Sequence, residues 1–226
     1  MILPEEQLKN TKGIKMKILF CGYRDWAKNI HRSLVISHDL KLCESQSELN
    51  SLNPKDYDII FFVGWSEIVS DDWIDHTSCI CLHPSPLPKY RGGSPIQNQI
   101  IAGEKWSAVT LFKMNNKLDQ GNIIKQNRFS LHGSLDDIFS RIETLAISMI
   151  DDIINSNYFS SYKQNEDEAT YYKRRTPEMS KIETEDFKNF TAEEIYNKIR
   201  CLQAPYPLPY LLCKDNTKLY ITGASV

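Results

Sequence analysis

The sequence has no run of about 18 or more apolar residues, so no segment reads as a membrane span. Its opening, MILPEEQLKNTKGIKMK, lacks the apolar stretch of a secretory signal and reads as a polar extension over residues 1–15. No charge of one sign dominates: 27 Lys and Arg stand against 29 Asp and Glu, a formal net charge of −2. A strong overall basic field for nucleic acid is therefore not expected, while a local basic patch stays open. The six cysteines (Cys21, Cys43, Cys79, Cys81, Cys201, Cys213) are too few for a disulfide framework in 226 residues. Most lie in apolar runs, as reduced thiols do, and point to a cytoplasmic location. Cys79-Ile-Cys81 has neither zinc-ligand spacing nor a second pair nearby, so no metal is expected. The dinucleotide G-x-G-x-x-G and the Walker lysine are both missing, which argues against nicotinamide and P-loop chemistry. Internal repeats and low-complexity segments are absent.

Short apolar runs alternate with helical patterns. Lys15–Tyr23, Leu40–Cys43, Asp58–Gly64 and Cys79–Leu82 read as strands, and the uninterrupted DIIFFVG reads as one covered on both faces. Asp25 is placed to cap a helix running to about Ile36, with Trp26, Ile30, Leu34 and Val35 as its apolar stripe. Asp71–Asp75 and Pro95–Ile101 read as short helices. Ala108–Met114 and Asn122–Phe129 read as two strands joined by a loop that holds Asp119. SLDDIFSRIETLAISMIDDIINS carries a capping box and helical spacing. The polar stretch 160–169 divides a domain over 16–160 from a C-terminal segment over 161–226. That segment holds a helix capped by Thr191 and a hairpin around Lys214-Asp-Asn-Thr217. The pattern predicts an α/β fold with a mainly parallel sheet, flanking helices and a small C-terminal helix and β-hairpin appendage.

His83 ends a strand and precedes Pro84, Pro86 and Pro88, so the chain must leave the sheet there. Ligands of open α/β folds bind at such carboxyl ends. Asp119, in Lys117-Leu-Asp-Gln-Gly121, fits acid–base chemistry if it meets His83. His31, His38, His76 and His132 read as surface or capping residues. Arg91-Gly92-Gly93-Ser94 offers an anion loop in which the glycines admit close backbone approach and the arginine a planar fork. Tyr171-Tyr-Lys-Arg-Arg175 reads either as a solvated charge run or as a patch that holds a pyrophosphate and stacks a base.

Cys79 to Ile124 resembles the catalytic core of enzymes that use 10-formyltetrahydrofolate. The family's asparagine, x, histidine, proline-rich turn, YRG-type loop and D-x-G stand here as Cys81, His83, Ser85-Pro-Leu-Pro88, Tyr90-Arg-Gly92 and Asp119 with Gly121. The resemblance spans about residues 16 to 210 and is strongest to the nucleotide-linked sugar N-formyltransferases. It implies a Rossmann-like fold and a folate formyl donor held by Ser66, Glu67, Ile68, Val69 and Lys117. It also implies a nucleotide-linked amino sugar, dTDP-bound, held by Gly22, Tyr23, Arg24, Arg91, Gly92, Gly93, Tyr172, Lys173, Arg174 and Tyr206. The implied setting is surface-polysaccharide synthesis by a homodimer that needs neither nucleic acid nor membrane. A UDP-linked aminopentose and a ribonucleotide amine are the alternative acceptors. His83 is implied as general base or hydrogen-bonding stabiliser, with Asp119 orienting it and relaying a proton. Cys81 stands where the family asparagine donates to the developing oxyanion, and a thiol is a weak donor of short reach. Reduced turnover, or binding without turnover, is the further alternative.

Overall fold

The computed structural model describes residues 6–7 and 16–226. The expected extension over 1–15 lies outside the described residues apart from Glu6 and Gln7, which form strand β1. Along the chain follow β2 (Ile18–Cys21), α1 (Asp25–Leu34), β3 (Leu40–Cys43), α2 (Gln46–Asn50), β4 (Ile59–Val63) and α3 (Asp71–His76). Next come β5 (Ser78–His83), β6 (Arg91–Gly92), α4 (Pro95–Ile101), β7 (Trp106–Lys113), β8 (Ile123–Ser130) and α5 (Leu135–Ser156). The C-terminal part adds β9 (Tyr158–Phe159), β10 (Tyr171–Tyr172), α6 (Asp186–Asn189), α7 (Ala192–Arg200), β11 (Tyr210–Leu212) and β12 (Lys218–Tyr220).

Six strands form one sheet in the order β3-β2-β4-β5-β7-β8. The first four run parallel, and β7 and β8 are antiparallel additions. The fold is thus α/β and Rossmann-like, with flanking helices and the expected helix and hairpin appendage. Every residue of β2 and β4 is buried, because helices cover both faces of this part of the sheet. The order reverses between β2 and β4, and the crevice beyond their carboxyl ends is where such sheets take ligands.

Helix α5 starts at a complete capping box, Ser134 with Asp137, and buries Ile138, Ile142, Ala146, Met149 and Ile153 along one face. Each large aliphatic side chain buried there contributes roughly 1.5–3 kcal/mol. Helix α1 packs along it, and Trp26 stacks on Phe139 at 5.7 Å. Two expectations for α1 are corrected. Its N-cap is Arg24 rather than Asp25, which occupies the first turn and meets the helix dipole there. It also ends before Val35, which with Ile36 is exposed instead of continuing the buried stripe. Among the described residues, no helix is long and apolar enough to cross a membrane.

Candidate active site

Strand side chains alternate, so Cys81 and His83 share one face of β5. Beyond His83 the prolines end the ladder, and side chains take over its hydrogen bonds. Gln99 Nε2 donates to Pro84 O at 3.0 Å, Thr110 Oγ1 to Ser85 O at 2.6 Å and Gln126 Nε2 to Leu87 O at 3.0 Å. Ser85 Oγ closes the turn on Lys89 O at 2.8 Å. With its carbonyls satisfied, this buried turn has one arrangement.

The turn delivers Tyr90 with φ +61°, and its carbonyl oxygen lies 2.8 Å from His83 Nε2. A carbonyl only accepts, so Nε2 carries the proton and donates. Nδ1 is left facing the Asp119 carboxylate, 3.7 Å from Oδ2, with both side chains about nine-tenths buried. That separation is too long for a hydrogen bond and short enough for strong charge stabilisation. In this tautomer the imidazole presents its Nδ1 lone pair toward the carboxylate. Orientation of His83 falls to Tyr90, whereas the sequence pattern assigns it to Asp119.

Asp119 takes φ +53° in the loop between β7 and β8. Its Oδ2 accepts the Gly92 N–H at 2.7 Å. Gly121 permits the loop to close, since a Cβ there would lie 1.8 Å from Lys113 O. Gly92 has φ +95°, and a Cβ there would meet Tyr172 O at 2.3 Å. The close approach comes from parallel pairing of β6 with β10, Tyr171 opposite Arg91 and Tyr172 opposite Gly92.

Arg91, expected to offer its fork to an anion, is fully buried and uses it within the chain. Its N–H donors reach Gln164 Oε1, the Glu166 carboxylate and Tyr171 OH, which accounts for the whole guanidinium. Gln164 Nε2 then donates to the carbonyls of Asp119 at 2.8 Å and Gly121 at 2.7 Å. Gln164 and Glu166 were not singled out from sequence, and Tyr171 was read only as part of the aromatic and basic patch. They lie in or beside a polar stretch that resembles a linker, and no local signal separates a buried glutamine from a solvated one.

Cys81 is half-buried, and its thiol reaches only Leu82 O, at 3.7 Å. Burial first, then the Asp119 charge, push its pKa well up, so the sulfur stays a neutral thiol and a poor nucleophile. Among the described residues, no group of three or more His, Cys, Asp or Glu is arranged to hold a metal.

The remaining candidates are spread over several loops. After β2 come Gly22, Tyr23 and Arg24, and after β4 come Gly64 to Ser66. Arg24 donates to Ser66 Oγ at 3.2 Å, and the Tyr23 and Trp65 rings meet edge-on at 5.8 Å. Glu67 and Ile68 are exposed, Ile68 at 91%, while Val69 turns inward beside Trp73. Lys117 lines a polar cavity of about 580 Å³ with Asn115, Gln120 and Lys163, on the outer shoulder of the Asp119 loop. Gly93 approaches the Arg174 backbone, and Lys173 and Arg174 are exposed beside it. One face of Tyr172 is covered by Tyr90 at 5.0 Å, and one face of Tyr206 by Phe139 at 6.1 Å.

A histidine–carboxylate pair at a strand exit, fixed by a YRG turn and a D-x-G loop, is the geometry on which family membership can be judged. Residues 25–148 match the family described as formyl transferase. The chain belongs to the formyl transferase family. It is 32% identical over 194 residues to methionyl-tRNA formyltransferase of Ehrlichia ruminantium (strain Welgevonden), covering 82% of this chain and 59% of that protein. It is 33% identical over 186 residues to the Lysinibacillus sphaericus (strain C3-41) enzyme of the same name, covering 78% and 56%. The solved methionyl-tRNA formyltransferase from Clostridium thermocellum superposes with a TM-score of 0.80 at 27% identity, covering 93% of each chain. A 4-N formyltransferase from Francisella tularensis shares the fold at 20% identity, with a TM-score of 0.74 over 92% of this chain and 96% of that one.

These relationships correct the sequence reading of this formyl transferase. Its similarity runs to methionyl-tRNA formyltransferases rather than to sugar N-formyltransferases. The dTDP-sugar substrate, its polysaccharide setting and the exclusion of nucleic acid fall with that assignment. The chain spans only 59% and 56% of the length of those two curated relatives. Net charge misled, since it averages over a surface on which Lys173 and Arg174 stand together exposed.

Proposed function

We propose that this chain transfers a formyl group from a 10-formyltetrahydrofolate-type donor to the amine of methionyl-tRNA. The observation that carries the reading is the 32% identity to a methionyl-tRNA formyltransferase over 82% of the chain. The His83–Asp119 pair lies inside the formyl transferase match. A folate-type donor fits the family, and one feature of the crevice supports it. Trp65 Nε1, beside Ser66, is a buried donor without a partner and suits an acceptor on a polar flat ring.

Bound there, the donor would supply an electrophilic formyl carbon on a nitrogen leaving group. His83 Nδ1 takes the proton released as the attacking amine forms its bond to carbon. The Asp119 carboxylate, 3.7 Å away, stabilises the resulting imidazolium, and Tyr90 O keeps the ring from turning. His83 then returns the proton to the departing nitrogen, so charge and protons balance. Cys81 contributes a weak donor at most. The six free cysteines, four of them buried, support a reducing compartment, and we place the protein in the cytoplasm.

The test is formylation of purified methionyl-tRNA with 10-formyltetrahydrofolate, read by the mobility of the aminoacyl ester. Accumulation of formylmethionyl-tRNA is the expected result. Donor binding with no transfer to methionyl-tRNA would overturn the acceptor assignment.

A further inference from the structure

The segment after α5 reaches back across the sheet and grips both halves of the site. Gln164 is 9% exposed and has all four of its hydrogen-bonding positions filled. Its oxygen accepts twice from Arg91, and its amide nitrogen donates to the carbonyls on either side of Gln120. Gln120 itself donates to the Tyr171 hydroxyl at 2.8 Å, and that hydroxyl also accepts from Arg91. Residues 119, 120 and 121 are thus each tied to the Arg91 network. The Asp119 side chain meets the residue after Arg91, through the Gly92 N–H. One side chain therefore connects the strand that fixes the Asp119 carboxylate with the loop that carries it. The left-handed φ of Asp119 adds to the need for that grip, because a non-glycine residue in this region carries a modest conformational cost.

We propose that Gln164 is the positioning residue that sets the distance between the Asp119 carboxylate and His83 Nδ1. The inference rests on the reading of Asp119 as the partner of His83 in formyl transfer. Gln164 does not touch reacting atoms. It acts through the two carbonyls, and its loss lets Asp119 leave its place while the sheet stays intact. Misplacement of a catalytic group by about 1 Å costs on the order of 10²-fold.

The experiment compares Gln164→Glu with wild type. Glutamate keeps the acceptors for Arg91 and loses both donations to the loop. The expected result is a kcat lower by about 10²-fold with substrate KM values within about twofold, as for an interaction made only in the transition state. In an Asp119→Asn background the same change should cost less than about threefold, because its target is already gone. An equal cost in both backgrounds would overturn the proposal. Amide exchange gives a readout independent of turnover: Gly92 and residues 119–121 should exchange faster in Gln164→Glu while β4 and β5 keep their protection. Unchanged exchange at Gly92 overturns the proposal. If wild type fails to formylate methionyl-tRNA, the functional reading falls and the exchange result still decides the role of Gln164. Should Gln164→Glu not fold, Gln164→Met removes the same two donations to the loop without adding a charge and is read the same way, with faster exchange at Gly92 and residues 119–121 expected and unchanged exchange overturning the proposal.

Discussion

The two segments that leave adjacent strands at the crevice differ in almost every respect. After β5, the turn from His83 to Arg91 is mostly buried, its carbonyls are met by Gln99, Thr110 and Gln126, and Tyr90 locks the imidazole. After β4, Trp65 to Ile68 becomes progressively exposed and keeps an unpartnered indole N–H. On the proposed function the first segment places the groups of a proton transfer, which suits its being fixed without a ligand. The second offers polar and apolar contacts for a ligand to complete. Changes in the first should therefore alter kcat with little effect on binding, and changes in the second should do the opposite.

The largest expected effect comes from the imidazole. His83→Ala removes the base that Tyr90 and Asp119 serve, and kcat should fall by about 10²–10⁴-fold with the donor still bound. Initial rates of methionyl-tRNA formylation, beside fluorescence titration of the donor, check both halves. Near-normal turnover would mean that the rigid turn serves something other than proton transfer. Next comes Cys81→Asn. Loss of one oxyanion donor typically costs about 10²–10³-fold, so restoring an amide on the His83 face of β5 should raise kcat by at least about tenfold. Asparagine is also larger than cysteine beside Leu87 and Met114, and overpacking of about 1–3 kcal/mol should appear as a lower melting temperature. A rate no higher than wild type in a well-folded variant would show that the oxyanion is already served by another donor.

How much of this contrast is legible in the sequence depends on how local its cause is. IIFFV announces a doubly covered strand, and Ser134 with Asp137 announces the start of α5, because burial and capping act over a few residues. His83 is legible because the following prolines cannot continue a ladder. The pair it forms with Asp119 needs the β7–β8 register, and the pair's support needs Gln164, 73 positions from Arg91. Arg91 is the clearest divergence: a basic residue among glycines reads as an anion fork, yet here it braces the site from inside. The acceptor was misjudged for a different reason, since net charge is a sum and recognition is local.

Acid should loosen the rigid side before the open side. The Arg91 hydrogen bonds and charge hold the Glu166 carboxyl below its ordinary range. A depressed folded-state pKa gives stability that is complete above the unfolded value, about 4.3, and is lost as pH falls through the folded value. Glu166 is 59% exposed on its side chain, so the pair's own contribution is modest, and the consequence is felt by fully buried Arg91 when it loses its anion. Melting curves of wild type and Glu166→Gln should differ at neutral pH, and the difference should shrink as pH falls below about 4.3. A difference that does not change with pH anywhere down to acid unfolding would mean that the carboxylate charge contributes nothing at this position.

The smallest change to the fold should come from Ile68→Ser. Ile68 is 91% exposed, so the substitution should move stability by no more than about 0.5 kcal/mol. An exposed isoleucine between Glu67 and buried Val69 has no packing role in the free chain, and its apolar surface is available only to something that binds. If the donor covers it, burial of part of that side chain contributes on the order of 1 kcal/mol, and Ile68→Ser should raise the donor Kd about fivefold while kcat at saturation holds. Isothermal titration with the donor beside saturated rates separates the two quantities. A loss of kcat at unchanged Kd would place Ile68 with the chemistry and erase the division of labour between the two strand exits.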